Sequence, residues 1–236
     1  MTDKLFCFPH AGGGASFYRA WTPSRDLGFE LHPVQLPGRE ELFIEELYRN
    51  IDTAADELAG KIARSLGPTD TVSLFGHSFG AVLAFEVARR LVDFVPVRHL
   101  VVSGSAGPTV PLAREAADLD DDQFVARVEQ LAGYTHPALA DRDLRDIVLP
   151  ALRADVELHE GYLARSLTPI PVPITVVRGE TDHIVSRDES EQWEVATVDH
   201  CEVVDLPGGH MYLVDDPESL FDLLRRISSV PVGRGV

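Results

Sequence analysis

The sequence predicts an α/β fold in which helices cover a mostly parallel sheet. Short runs of β-branched and other apolar residues alternate with stretches that carry apolar residues at three- and four-residue spacing, and this alternation is typical of repeated βα units. The length of 236 residues suits one domain with a sizeable core. Six segments are predicted to be strands: Leu5–Phe8, Glu30–Gln35, Thr71–Phe75, His99–Ser103, Ile174–Arg178 and Cys201–Leu206.

Three helices are predicted around these strands. The apolar spacing from Ile51 to Leu66 predicts an amphipathic helix that Gly67-Pro68 ends. The mostly apolar run from Ala81 to Val92 is expected to pack on the sheet. The last helix is predicted to open at Asp216, an N-cap followed by proline, and to continue through Ile227.

From residue 105 to residue 167 only helical periodicity is present, and the alternation with strands stops. Asp120 is predicted to cap a first helix, and a second apolar stripe follows in which Pro150 is expected to start or kink the later part. We interpret 105–167 as a helical lid inserted into a core formed by 1–104 and 168–236; further sheet-covering helices are the alternative. The two stripes comprise Phe124, Val128 and Leu131, then Leu144, Val148, Leu152, Val156 and Leu163.

Composition and charge narrow the class of partner. The 38 acidic and 21 basic residues give a net charge of -17, which argues against nucleic acid or an anionic membrane as the partner. Residues Met1–Lys4 lead directly into the first predicted strand, and no run of 18 apolar residues occurs, so we expect a cytoplasmic protein. Cys7 and Cys201 lie in predicted strands and are expected to be buried thiols, with no metal or other cofactor.

The motif that carries chemistry is Gly76-His77-Ser78-Phe79-Gly80, which follows a predicted strand and precedes a predicted helix. In this context G-x-S-x-G places the serine on a tight strand-to-helix turn, and the glycines leave room for the neighbouring strand and helix. The helix N-terminus also favours developing negative charge. The pattern predicts an α/β-hydrolase fold with Ser78 as the nucleophile; a fortuitous turn is the alternative.

A serine nucleophile needs a general base within hydrogen-bonding reach. In this fold the triad order is serine, acid, histidine, and the histidine follows the last strand. Among nine histidines, His210 fits, because it follows the last predicted strand and the turn Pro207-Gly208-Gly209. His77 is the rival, but as the neighbour of the nucleophile it is interpreted as a packing or hydrogen-bonding residue.

The orienting acid is expected after the fifth strand. Asp182 lies on the turn that leaves this strand and is the predicted acid, while Glu180 and, more remotely, Asp188 remain alternatives. The loop after the fourth strand, Ser103–Gly107, contains no carboxylate.

The first predicted strand ends in Pro9-His10-Ala11-Gly12-Gly13-Gly14. A glycine-rich loop here can direct backbone N–H groups at the nucleophile, so the N–H groups of Ala11 and Phe79 are the predicted oxyanion hole. A plain turn or a phosphate-binding loop are the alternatives, and the second is disfavoured because no lysine and no G-x-G-x-x-G pattern follow.

Six segments, in order across nearly the whole chain, resemble the type II thioesterases, discrete editing enzymes of polyketide and nonribosomal peptide (antibiotic) biosynthesis. The resemblance implies hydrolysis of aberrant or stalled acyl groups from the phosphopantetheine arm of an acyl or peptidyl carrier protein. It implies the same triad, Ser78, Asp182 and His210, and the same oxyanion donors. The segments are Phe8–Gly13, Leu36–Glu40, Gly76–Gly80, Leu149–Asp155, Gly179–Val185 and Gly208–His210.

Two departures from the family pattern concern the acyl pocket. Phe79 stands where relatives often have methionine, and Met211-Tyr212 stands where they often have two phenylalanines; both changes are expected to touch the pocket. The rival functions are a small-molecule carboxylesterase, a product-releasing thioesterase and an inactive scaffold that binds an acylated carrier. For docking of an acidic carrier, the candidates are Arg19, Arg39 and Arg153.

Overall fold

The computed structural model describes residues 3–21, 27–114, 116, 119–132, 137–164 and 167–229. Its centre is a six-stranded parallel sheet with the strand order β2-β1-β3-β4-β5-β6. Every predicted strand is present, so the predicted α/β fold with a parallel sheet is confirmed. The strands are β1 (Asp3–Phe8), β2 (Glu30–Pro33), β3 (Thr71–His77), β4 (Val97–Ser103), β5 (Ile174–Gly179) and β6 (Cys201–Leu206).

The strand order reverses between β1 and β3. The chain passes from β1 to β2 on one side and then crosses back to β3, from which β4, β5 and β6 follow on the other side. In open α/β sheets, the crevice at such a reversal, outside the carboxyl ends of the strands, is where ligands bind. We call the strand-to-helix turn of the motif Gly76–Gly80 the elbow. Its serine, Ser78, follows β3 and the glycine-rich loop follows β1, so both lie at this crevice.

Helices cover both faces of the sheet and connect its strands. Asn50 caps the second helix by accepting a hydrogen bond from the Thr53 N–H at 3.0 Å, and the predicted last helix is present with Phe221 in the core. The described residues also form two short 3-10 helices, Glu40–Leu42 and Gln192–Ala196. The α-helices are α1 (Ala15–Arg19), α2 (Ile51–Ser65), α3 (Phe79–Leu91), α4 (Asp121–Ala132), α5 (Pro137–Ala140), α6 (Arg142–Glu160), α7 (Arg187–Glu191), α8 (Tyr212–Asp215) and α9 (Glu218–Ser229).

The core is divided by the sheet, because successive strand residues face opposite sides. On one side Phe8 and Leu74 pack with α2 and α3. On the other side Cys7 and Phe75 pack with α1, α8 and α9. Both cysteines are free thiols. None of the described helices is long and apolar enough to cross a membrane.

Between β4 and β5 the described residues form α4, α5 and α6. As predicted, α4 begins after Asp120, whose Oδ1 accepts a hydrogen bond from the Gln123 N–H at 2.8 Å. The predicted stripe of α6 is wrong at both ends, because Leu144 is 48% exposed and Leu163 lies beyond the last turn. Its buried leucines are Leu149 and Leu152.

Pro150 lies inside α6 and does not start a new helix, contrary to one of the two expectations for it. Proline removes the hydrogen bond to the carbonyl four residues earlier, that of Asp146. Both residues are exposed, so water can bind this carbonyl, and the helix continues through the proline.

Candidate active site

Ser78 forms the whole connection between β3, which ends at His77, and α3, which begins at Phe79. Its φ of 54° and ψ of -119° lie in a region that L-residues rarely adopt. Backbone strain of this kind costs about 1–3 kcal/mol and clusters at functional sites. The Ser78 N–H donates to the Ser103 carbonyl at 2.7 Å, which ties the turn to β4.

The two motif glycines are required by close backbone contacts. A Cβ on Gly76 would overlap the carbonyl group of Gly80. A Cβ on Gly80 would overlap the carbonyl oxygen of Phe8 at the end of β1. Any side chain at either position would therefore push α3 away from the sheet and displace Ser78.

His210 and Asp182 are joined by a hydrogen bond, as the predicted role of Asp182 as the orienting acid requires. His210 Nδ1 is 2.8 Å from Asp182 Oδ2, and both residues are buried. The N–H groups of Ile184 and Val185 donate to Asp182 Oδ1 at 2.8 and 3.1 Å. Burial alone would raise the pKa of Asp182, but these bonds and the attraction to His210 lower it overall, so the carboxylate is ionised.

This arrangement distinguishes Asp182 from its competitors. Glu180 and Asp188 are both exposed, whereas Asp182 is buried against His210. A carboxylate on Nδ1 fixes the proton on that nitrogen and leaves Nε2 free to accept one. The geometry therefore favours Asp182 as the orienting acid.

Gly104 allows the histidine loop to approach the elbow. Its φ is 55°, and a Cβ there would lie 2.6 Å from His77 Cε1 and 3.1 Å from His210 Cε1. The ring centroids of His77 and His210 are 5.0 Å apart. Because His77 immediately precedes Ser78, this contact places His210 beside the elbow. The need for glycine at position 104 was not predicted from the sequence, where the only indication was a glycine directly after a strand.

His77 belongs to a buried hydrogen-bonded chain. Its Nδ1 is 2.9 Å from Ser103 Oγ, which is 2.7 Å from the Tyr212 hydroxyl. Burial holds the pKa of His77 well below its usual value, and the nearby His210 lowers it further. His77 is thus neutral and hydrogen-bonded, in agreement with the interpretation from sequence.

The expectation that Met211 and Tyr212 touch the acyl pocket stays a prediction. Both side chains are buried in the core cluster that contains Phe75. The Tyr212 hydroxyl reaches Ser103, and the ring lies 6.0 Å from His77. A tyrosine here thus supports the elbow from beneath, because its hydroxyl finds a partner that a phenylalanine would not use.

The glycine-rich loop makes a tight turn after β1. The Gly13 N–H donates to the His10 carbonyl at 2.9 Å, so Ala11 and Gly12 are the central residues, and Gly12 has a φ of 72°. A positive φ at this position is typical of a type II turn. Within the described part of the chain, no residue accepts a hydrogen bond from the N–H of Ala11 or of Phe79.

One face of α6 contacts this site through residues at three- and four-residue spacing, Leu152, Asp155 and His159. A Cβ on Gly12 would lie 2.8 Å from Leu152 Cδ1. The His159 ring centroid is 6.3 Å from that of Phe79. Burial lowers the pKa of His159 to about 4, with a further contribution from His210. No motif in the sequence points to His159, although its spacing from Leu152 places both on one face of the helix.

The three arginines suggested for docking are already paired. Arg39 is only 8% exposed and binds Asp155, so it is not a surface residue and that suggestion is wrong. Arg153 pairs with Asp121 at 2.8 Å, and its guanidinium lies 4.2 Å from the centre of the Phe124 ring. Arg19 pairs with Glu41 at 2.9 Å.

Comparison with known proteins assigns the family. The sequence model of the Thioesterase domain matches residues 3–228. The chain is 31% identical to the gramicidin S biosynthesis protein GrsT of Aneurinibacillus migulanus, over 94% of this chain and 87% of that protein.

Comparison with solved structures leads to the same family. The RedJ thioesterase from the prodiginine pathway of Streptomyces coelicolor is 32% identical, with a TM-score of 0.87 over 96% of this chain and 90% of that chain. The type II thioesterase BorB from the borrelidin cluster is 30% identical, with a TM-score of 0.86 over 97% and 93%. The predicted α/β-hydrolase fold is confirmed.

Proposed function

The chain belongs to the thioesterase family, and we propose that it removes aberrant or stalled acyl groups from carrier proteins of polyketide or nonribosomal peptide synthesis. It is a type II thioesterase, a hydrolase that acts on thioesters. The finer assignment is supported by the names of its relatives, among them a gramicidin S biosynthesis protein and a type II thioesterase of the yersiniabactin NRPS/PKS pathway.

The proposed mechanism uses Ser78, His210 and Asp182. His210 Nε2 takes the Ser78 hydroxyl proton, and Ser78 Oγ attacks the thioester carbonyl carbon. The oxyanion is held by the N–H groups of Ala11 and Phe79 until the carbon–sulfur bond breaks, and the thiol leaves with the proton from His210. Water, deprotonated by His210, then attacks the acyl carbon. The bond from that carbon to Ser78 Oγ breaks, the carboxylic acid leaves, and His210 returns the proton to Ser78. The hydrogen bond between Asp182 and His210 beside the elbow carries this proposal.

We further propose that 105–167 form a lid over the carboxyl ends of the strands, inserted between core segments 1–104 and 168–236. The contacts of α6 with Gly12 and Phe79 support this, because they lie over the crevice between β1 and β3. Residues 115, 117–118, 133–136 and 165–166 of this segment are outside the described residues, as are 1–2, 22–26 and 230–236 of the core.

The proposed partner is an acyl or peptidyl carrier protein that bears acyl-phosphopantetheine, which implies a cytoplasmic location, where such thioesters are made. The chain has a net charge of -17, and the carrier is expected to be acidic as well, so the two proteins would repel each other at long range. Because Arg39, Arg153 and Arg19 are engaged with carboxylates, none offers an unpaired charge to the carrier. Docking is therefore expected to depend on local contacts rather than on long-range attraction.

The test compares three substrates with the same acyl group: the thioester on the carrier protein, the thioester on N-acetylcysteamine, and an oxygen ester. We expect kcat/KM to be at least about tenfold higher for the acyl carrier protein than for the same acyl on N-acetylcysteamine, because remote contacts help to orient the carbonyl. The oxygen ester of the same acyl group should be the poorest substrate. Equal efficiency on carrier and truncated thioester would contradict the carrier assignment, and preference for the oxygen ester would favour a carboxylesterase.

Salt dependence gives a second measurement on the same pair of substrates. Raising ionic strength to about 0.15 M shortens the Debye length to about 8 Å and screens the overall repulsion. The carrier reaction is then expected to be unchanged or faster, while the N-acetylcysteamine reaction stays the same. A marked slowing of the carrier reaction alone would indicate an attractive basic surface instead.

A further inference from the structure

A buried ion pair joins α6 to the segment after β2. Arg39 and Asp155 are 8% and 4% exposed. Arg39 Nη1 donates to Asp155 Oδ2 at 2.6 Å and Nη2 donates to Asp155 Oδ1 at 2.9 Å. Two parallel bonds of this kind fix the plane of the guanidinium as well as its position.

Both partners also bind the backbone of the glycine-rich loop. The Gly12 N–H donates to Asp155 Oδ2 at 2.8 Å, and Arg39 Nη1 donates to the Gly13 carbonyl at 3.0 Å. The ion pair therefore fixes the peptide group that joins Ala11 to Gly12, and also the Gly13 carbonyl. Only the two backbone dihedrals of Ala11 separate this fixed peptide group from the Ala11 N–H.

The arginine is itself held in place. Arg39 Nε donates to the Pro37 carbonyl at 3.3 Å, and Gln35 Nε2 donates to the Arg39 carbonyl at 3.1 Å. Burying two charges is costly, and an apolar pair of similar volume often stabilises a fold equally well. A buried ion pair that also binds two backbone groups beside the oxyanion loop is better explained by the geometry it imposes than by stability.

We propose that Arg39 and Asp155 are positioning residues that direct the Ala11 N–H into the oxyanion hole. This inference rests on the proposed function, which assigns that N–H to the hole. Catalysis depends on donors that are already oriented toward the developing oxyanion, so a small rotation of the loop weakens binding of the transition state more than binding of the substrate.

The test separates these two kinds of binding. In Asp155→Asn and Arg39→Lys we expect kcat for an acyl-N-acetylcysteamine to fall by about tenfold to a hundredfold and KM to change less than about twofold. Affinity for an acyl trifluoromethyl ketone, which forms a hemiketal oxyanion with Ser78, should fall by the same factor as kcat. Affinity for the unreactive thioether analogue should be unchanged.

Asp121→Asn is the matched control. It breaks an exposed ion pair between Asp121 of α4 and Arg153, which lies on α6 as Asp155 does. This variant should leave all of these quantities unchanged. If either single variant fails to fold, the double variant Arg39→Met with Asp155→Leu keeps the buried volume without charge and should show the same losses.

Normal kcat and normal ketone affinity in a folded variant, with or without a lower melting temperature, would overturn the positioning role. That result can be told apart from failure of the proposed function. If the proposed function were wrong, Ser78→Ala would retain turnover.

Discussion

The two sides of the active site are built differently. On the sheet side, Ser78, Asp182 and His210 lie on short turns directly after β3, β5 and β6. On the helix side, Leu152 and Asp155 of α6 contact the glycine-rich loop from above. In the proposed mechanism the sheet side carries the groups that exchange protons and form bonds, and the proposed role of the helix side is to hold the backbone donors in place. Changes on the first side should abolish turnover, and changes on the second should reduce it.

A second contrast lies within α6 itself. Its first half exposes Leu144 and Ile147, at 48% and 49%, while its second half buries Leu152 and Asp155, at 6% and 4%. One end of the helix is thus anchored to the site and the other is not. A lid that opens as a single body would have to break the anchor, whereas a lid that opens at its first half would not.

The largest effect is expected for Ser78→Ala. Removing the nucleophile should lower kcat by at least about 10⁴-fold, since members of a triad act as a unit. The fold should persist, because serine and alanine have similar backbone requirements at this turn. Steady-state hydrolysis and circular dichroism on the same sample would measure both. Retained hydrolysis with a normal spectrum would contradict the assignment.

The next effect concerns the acid. Asp182→Asn should lower kcat by about 10³- to 10⁴-fold, because an amide at this position favours the wrong tautomer of His210. Glu180→Gln is the matched control two residues away, on an exposed side chain, and should change kcat less than about twofold. If the Glu180 change proves the more harmful, the acid is misassigned.

These two predictions use residues that the sequence alone could propose, because a strand-to-helix turn with the G-x-S-x-G motif and the loops after the strands are encoded locally. The strands were also predictable, with small differences. The predicted β2 extends to Gln35, but the strand ends at Pro33, which pairs with Cys7. The Val34 N–H still donates to the Cys7 carbonyl at 2.9 Å, and the pairing with β1 stops there.

The helix side was not predictable from local pattern. Arg39 and Asp155 are 116 residues apart, and only the fold brings them together. Considered alone, Arg39 was a candidate for docking at the surface, and Asp155 was only the last residue of a family-like segment. The hydrogen bond of Tyr212 was not predictable for a similar reason, since its partner Ser103 lies 109 residues away.

A smaller effect is expected on stability at acid pH, through His159. Burial lowers the pKa of His159 to about 4, whereas an unfolded histidine titrates near about 6.5. Between these values the unfolded chain binds more protons, so stability is lost as the pH falls from about 6.5 toward 4. His159→Gln should remove up to about 2 kcal/mol of the loss between pH 7.5 and 4.5 in urea unfolding.

The control for this experiment is His183→Gln, which changes an exposed histidine and should leave the acid loss unaltered. His77 and His99 also have lowered pKa values from burial, so the wild-type loss will exceed the part that His159 explains. An identical pH dependence of stability in His159→Gln and in the wild-type protein would show that the helix side of the site is open to water at residue 159.

The smallest effect, and the one that tests the contrast within α6, is on hydrogen exchange. The amides of residues 154–157 lie in the anchored half and should exchange at least about tenfold more slowly than those of residues 146–148. Near 146–148 Pro150 removes the helical hydrogen bond to the Asp146 carbonyl, and the side chains are not buried. The fully buried strand β3 provides the protected reference. Asp155→Asn should speed exchange in the anchored half alone, because it releases Gly12 and Arg39, while Asp121→Asn should not. Equal exchange in both halves would mean that α6 opens as one body, and the anchor would then have to break in every opening.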